Sequence, residues 1–198
     1  RQIGSFQAIK QIHTCDGGAL VCKSKKDFKE AKKIKWLGID RDLKKSGKNI
    51  WLNDIKSLGY KSNLNNLLAS IGIEQMKYVK GILKKNNKNG KYLDKELSKI
   101  KGIKILKRDK KSFSTYWAYS FLSKDKKKIE KNLNENNIET FQIHPRNDNY
   151  TIFKKFKIKL PNLDKFSKEE INIPCGWWLN KVKLNKIIKV IKKTYEKN

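Results

Sequence analysis

Apolar residues recur at helical spacing in two stretches of the chain and gather into short runs elsewhere. Leu64, Leu67, Leu68, Ile71, Gln75, Tyr78, Val79 and Ile82 follow the i, i+3, i+4, i+7 rule of an amphipathic helix. Val182, Leu184, Ile187, Ile188, Ile191 and Tyr195 repeat it and predict a last helix over residues 179–195. A third helix is predicted over 125–137 with Ile129 and Leu133 inward, and a fourth from Ser24, a good N-cap, to Trp36, ended by Gly38. The apolar runs at 19–22, 103–106, 116–122 and 140–144 read as strands. The polar stretch 41–49 reads as a loop, followed by apolar Ile50-Trp51-Leu52 and Ile55. Propensity breaks the long helix at Asn86-Asn87-Lys88-Asn89-Gly90, a turn signal. The second half of the chain therefore reads as a small α+β domain, helices against a short antiparallel sheet.

With 198 residues there is material for one ordinary domain or two small ones. The net charge of +29 raises a polyanion as partner. Only four of the 48 basic residues are arginine, however, and asparagine is abundant, the signature of A+T-rich coding. Arginine is what bidentate phosphate and base recognition favours. Lysines such as Lys183, Lys186, Lys189 and Lys193 also sit on the polar faces of helices. No specific nucleic-acid partner is expected, only adhesion to polyanions at low salt. Cys15, Cys22 and Cys175 lack metal-ligand spacing and read as reduced thiols of a cytoplasmic protein. His13 and His144 are too isolated for a metal site, and His13 reads as solvent-facing or hydrogen-bonded. No run approaches a membrane span, so a soluble chain with no membrane partner is expected.

The chemistry concentrates near the start. Ser5-Phe6-Gln7-Ala8-Ile9-Lys10 is followed by Thr14-Cys15-Asp16-Gly17-Gly18 and the apolar run Ala19-Leu20-Val21-Cys22. This resembles the active-site lysine segment of the DegT/DnrJ/EryC1/StrS sugar aminotransferases, which use pyridoxal 5′-phosphate (PLP) and have the fold type I architecture. A second block, Gly59-Tyr60-Lys61-Ser62-Asn63-Leu64 with the helix running through Ile71-Gly72 to Gln75-Met76, is similar to the family's Gly-Tyr-Lys-x-Asn-Leu segment. A third, His144-Pro145-Arg146-Asn147-Asp148 with Pro174-Cys175-Gly176-Trp177-Trp178, resembles one of its subgroups. Cys15 stands where the family more often has glycine.

The resemblance implies that Lys10 holds PLP as a Schiff base and then acts as general acid and base. It implies that Ser5 binds the cofactor phosphate, and that Asn63 reaches the phosphate of the other subunit in a homodimer with shared active sites. His144 and Arg146 fall on the nucleotide-sugar side, where a guanidinium fork suits a sugar or diphosphate. The implied fold is α/β, a PLP-dependent transferase fold type I of which only the C-terminal end of the large three-layer domain is present, with a small α+β C-terminal domain. Residues 1–60 would end the large domain, 61–100 would form one long linking helix, and 101–198 the small domain. The substrate implied is a nucleotide-linked keto-deoxysugar, with L-glutamate as amino donor. Because the motif lies so near Arg1, the chain is expected to be the C-terminal part of a longer enzyme. Plainer readings stand beside these: a solvated lysine for Lys10, a turn hydroxyl for Ser5, a helix N-cap for Asn63, a polar turn for 144–149 and packing anchors for Trp177 and Trp178. An inactive scaffold relative and a basic polyanion-binding module are the rival functions.

Overall fold

The computed structural model describes residues 2–42, 49, 52, 54–109 and 111–196. Of the loop expected over 41–49, residues 43–48 lie outside the described residues, as do Ile50 and Trp51. The chain divides into two compact units, Arg1–Val79 and Lys80–Asn198.

In the first unit β1 (Gln2–Ser5) and β2 (Gly18–Val21) form an antiparallel ribbon, with Gln2 opposite Val21 and Ser5 opposite Gly18. The sequence pointed to β2 but not to β1. Helix α1 (Lys25–Ile34) starts as expected: the Ser24 side chain accepts from the Asp27 N–H at 3.0 Å. It stops short of Trp36, which instead forms a bridge with Lys61. Leu37 and Gly38 then take positive φ. Helix α2 (Asn66–Leu97) follows, 32 residues long. Its cap is Asn65, whose Oδ1 accepts from the Leu68 N–H at 2.9 Å, so Leu64 lies before the helix and Asn63 does not cap it.

The predicted turn at 86–90 does not occur. Helix α2 runs through it because each breaker has a tertiary partner in the second unit. Asn89 Nδ2 donates to the Gly176 and Leu179 carbonyls at 3.0 and 3.2 Å, and Asn87 Nδ2 to the Ser114 carbonyl at 2.8 Å. Gly90 lies under the Tyr116 ring, where a Cβ would come within 2.3 Å of ring carbons. Helix propensity is a weak preference that such contacts override.

The second unit holds a three-stranded antiparallel sheet in the order β3 (Lys104–Ile105), β4 (Tyr119–Leu122), β5 (Glu170–Ile173). Against it pack α3 (Lys126–Glu135), α5 (Lys181–Glu196) and the end of α2, burying Leu93, Leu97, Ile129, Leu133, Ile171, Ile173, Leu184, Ile187 and Ile191. The strand expected over 140–144 shrinks to one bridge, Phe141 to Asn172. Helix α4 (Pro161–Glu169) and β5 had no forecast. All four residues of β5, Glu170-Ile171-Asn172-Ile173, are buried, and Asn172 accepts from the Ser120 hydroxyl at 2.5 Å. Val182, placed inward by periodicity, is 76% exposed because α5 is only beginning there.

Asp94 of α2 joins these elements. It accepts from the Tyr116 hydroxyl at 2.6 Å, the Tyr119 hydroxyl at 2.8 Å and Arg108 Nε at 3.2 Å. The Arg108 guanidinium also sits 4.4 Å from the Tyr116 ring centroid. Burial, then the bond to Asp94, pushes the Tyr116 phenol up to about 12, and Tyr119 shifts the same way.

Two outcomes follow. Gly90→Ala should gain roughly 1 kcal/mol of helix propensity and lose about 1–3 kcal/mol to the clash with Tyr116, so urea unfolding should show net destabilisation. The folded state favours protonated Tyr116, so the unfolded chain ionises first as pH rises. Stability should fall between an ordinary tyrosine value near 10 and about 12, as followed by circular dichroism against pH, and Tyr116→Phe should flatten that loss.

Candidate active site

The lysine segment is a closed loop between β1 and β2. The Phe6 N–H donates to the Gly17 carbonyl and the Thr14 N–H to the Phe6 carbonyl, both at 2.9 Å. Inside this double closure the Lys10 N–H donates to the Gln7 carbonyl at 2.9 Å, which turns the chain and leaves Lys10 half-buried. Ser5, exposed at the end of β1, accepts weakly from the Gln7 N–H at 3.4 Å.

Thr14 fastens this loop. It is 2% exposed, its hydroxyl donates to the Asp16 carbonyl at 2.5 Å, and its methyl lies where a Cβ on Gly72 of α2 would be 2.8 Å away. Gly17, at φ 135°, passes so close to Leu64 and Thr14 that a Cβ would meet each at 2.9 Å. The glycines of both motifs therefore let the loop lie on the start of α2. Cys15 adopts φ 65°, a left-handed conformation that favours glycine, which is the physical content of its departure from the family pattern. His13 is neither solvent-facing nor hydrogen-bonded at Nδ1, which is buried without a partner.

Asn63 is half-buried, and no side-chain hydrogen bond is recorded for it among the described residues. It lines a groove of about 990 Å³ together with Gly17, Gly18, Phe28 and Leu68, while Lys10 and Ser5 are not among that groove's lining residues. Asn63 and the glycine pair are thus brought to one groove, beside the loop that carries Lys10.

In the second unit Arg146 is 9% exposed and clamps its own surroundings. Nε and one Nη donate to the Asp148 carboxylate, the first at 2.7 Å; Nη1 donates to Asp164 at 2.5 Å, and Nη2 to the Ile158 carbonyl at 2.9 Å. Four of its five N–H groups are thereby engaged internally. This pins the exposed stretch around the 3₁₀ turn Thr151–Phe156. His144 is exposed two residues away. Trp177 and Trp178 meet edge to face at 6.1 Å and are more than half exposed, and the Trp178 ring lies directly over Gly176, where a Cβ would strike it.

Residues 2–192 match the DegT/DnrJ/EryC1/StrS aminotransferase family. The chain belongs to this family. It is 30% identical over 208 aligned residues to the UDP-4-amino-4,6-dideoxy-N-acetyl-beta-L-altrosamine transaminase of Campylobacter jejuni, covering 98% of this chain and 54% of that protein. The sugar aminotransferase CalS13 from Micromonospora echinospora matches with a TM-score of 0.89 at 27% identity, over 96% of this chain and 51% of its own. PseC of Helicobacter pylori, an aminotransferase involved in the biosynthesis of pseudoaminic acid, matches at a TM-score of 0.86 and 24% identity, over 99% and 53%, a likeness of fold alone. The DegT/DnrJ/EryC1/StrS chain described here spans about half the length of these relatives. Its fold class is the one the motifs implied, PLP-dependent transferase fold type I.

Sequence reasoning missed Thr14, Asn65 and the partners of Arg146. An asparagine three residues before Leu68 was the available sign of the cap, and Asp148, two residues from Arg146, a sign of the clamp. No helix among the described residues is long and apolar enough to cross a membrane, and no cluster of three metal-ligating side chains is found among them.

The Arg146 hydrogen bonds hold the Asp148 carboxyl below the usual carboxylate range. A lowered folded pKa means that the clamp is intact above the ordinary carboxylate range and is lost as pH falls through the lowered value. Protection from hydrogen exchange over 147–160, taken relative to the intrinsic rate at each pH, should fall at acid pH, and Asp148→Asn should show that lower protection already at neutral pH.

Proposed function

We propose that the protein is a PLP-dependent aminotransferase that moves an amino group from L-glutamate to a nucleotide-linked keto-deoxysugar, working as a homodimer with shared active sites. The observation that carries this reading is the doubly closed loop that holds Lys10 half-buried beside Gly17 and the start of α2. Family membership supports the same chemistry.

The residues present fit the cofactor. An amine on a short closed loop suits a carbonyl partner, because its reach is fixed by the turn. Gly17 packs its backbone against Leu64 and Thr14, which seats the end of the loop on the segment that carries Asn63. The Ser5 hydroxyl and the Asn63 amide, half-buried with no recorded side-chain partner among the described residues, are neutral donors of the kind a phosphate takes. When bound, PLP supplies the carbonyl that captures amines and the ring that holds the electron pair released from carbon.

Lys10 then has two tasks. Its Nζ would hold the cofactor, and in the donor half-reaction it would move the proton of the α-carbon of L-glutamate. In the reverse half-reaction it delivers a proton to the sugar carbon that gains nitrogen. Ser5 orients the phosphate in its own subunit and Asn63 that of the partner. His144 offers an exposed imidazole to the sugar nucleotide. Arg146, held by Asp148, Asp164 and the Ile158 carbonyl, keeps one N–H that those partners do not engage.

In the intact protein with added PLP, borohydride should fix the cofactor covalently at Lys10. Lys10→Ala should lose that label and lower transamination by on the order of 10³-fold, with circular dichroism unchanged. A well-folded intact protein with neither label nor cofactor absorbance would instead favour a scaffold or polyanion-binding role.

A further inference from the structure

Among residues 2–37 Thr14 alone is buried, and it is polar. The ribbon that flanks the lysine loop has every strand residue exposed, so the strands close the loop without fixing where it rests. Thr14 does that with the two halves of its side chain. The hydroxyl donates to the Asp16 carbonyl at 2.5 Å, and the Asp16 N–H donates back to the Thr14 carbonyl at 2.9 Å, so the polar half is spent on the loop's own turn. The methyl meets Gly72 of α2, in the same unit. A glycine inside a helix is destabilising relative to alanine. At residue 72 the missing Cβ leaves the space that the methyl takes, since an added Cβ would stand 2.8 Å from Thr14 Cγ2. Gly81 of the same helix shows no such contact, with no described atom within 4 Å of an added Cβ.

We propose that Thr14 is a positioning residue for Lys10: its methyl, set into the space at Gly72, determines where the lysine loop rests on α2 and thereby where Lys10 Nζ stands. Lys10 lies four residues from Thr14, inside a loop tied at its feet by the Phe6, Thr14 and Gly17 backbone bonds. A shift of Thr14 is therefore carried to the turn between Gln7 and Lys10 instead of being absorbed by slack chain. Non-bonded carbons rest about 3.5–4.0 Å apart, so one added methyl at residue 72 displaces the loop by on the order of 1 Å. For an amine that must meet a reacting carbon, a displacement of that size costs on the order of 10²-fold in rate. The contact stands on the loop and the helix alone; its effect on turnover rests on the function proposed above.

The test is a size exchange in the intact protein: Gly72→Ala, Thr14→Ser and the two together. One readout is kcat and KM for transamination. The other is taken without cofactor: the extent to which a trace of acetic anhydride labels Lys10 relative to Lys183 of α5, read peptide by peptide by mass spectrometry. Gly72→Ala should lower kcat at least about tenfold with KM changed less than about threefold, and should raise the Lys10 labelling ratio at least about twofold as the loop lifts from the helix. Serine at residue 14 makes room for the alanine Cβ, so the double variant should be less impaired than Gly72→Ala on both readouts. A pair that only stabilised the fold would shift the urea midpoint and leave kcat and the labelling ratio of the folded protein unchanged, which overturns the proposal. A double variant as impaired as Gly72→Ala overturns it too. Should Gly72→Ala not fold, Thr14→Ser decides alone, since loss of the methyl should itself change the labelling ratio by at least about twofold and an unchanged ratio refutes the role. Labelling needs no cofactor, so a parent without transamination would sink the function proposed above and leave the labelling results to decide this contact.

Discussion

Asp94 is where the packing of the second unit meets its electrostatics. A carboxylate on the inner side of α2 accepts from two tyrosines and an arginine that come from a different stretch of chain. Remove it and two hydroxyls and a guanidinium lose an acceptor at once, at about 1–3 kcal/mol for each group left buried and unsatisfied. One turn earlier Gly90 admits the Tyr116 ring to the helix backbone. These contacts explain why α2 is continuous through a sequence that reads as a turn. Tyr116 must reach Asp94, its path crosses the helix at residue 90, and only a residue without Cβ leaves room.

The two units differ in how far they close on themselves. The second has a continuous core from Leu93 to Ile191. The first has a two-stranded ribbon with every strand residue exposed, and large apolar side chains such as Ile3, Leu67 and Ile73 face outward. A two-stranded ribbon is marginal by itself in water, and these apolar side chains are not covered by any other described residue. The lysine loop is nevertheless well held, because its closure is local: Phe6 pairs with Gly17 and Thr14, and Thr14 packs on Gly72. Local closure lets the site keep its shape in a unit with little core of its own.

Much of the fold was readable from pattern. Ser24 as a cap, Ile129 and Leu133 as inward residues, and the apolar side of α5 all follow from period and capping chemistry. The segment of Ser5 and Lys10 and the block of Asn63 could be picked out because each motif is contiguous in the chain; the roles of these residues belong to the function proposed above. Strand β5 was not readable, since the strand it pairs with and the Ser120 hydroxyl that Asn172 Oδ1 accepts from lie about fifty residues away. Arg146 was readable as a residue of interest, but its chemistry was not: the Asp164 carboxylate that engages it is on another helix.

The sequence by itself determined the family, the fold class, the lysine loop and the amphipathic helices, because each depends on residues close together in the chain or on a repeat along it. Tertiary structure decided the rest. It turned Asn87 and Asn89 from turn formers into helix residues by giving their amides carbonyls to bind. It moved the capping role from Asn63 to Asn65, leaving the Asn63 amide unspent. It also gathered Arg41 and Lys61, twenty residues apart, onto one tryptophan. In each case the deciding partner is distant in sequence, and a hydrogen bond or a ring contact outweighs local propensities worth at most about 1 kcal/mol per residue.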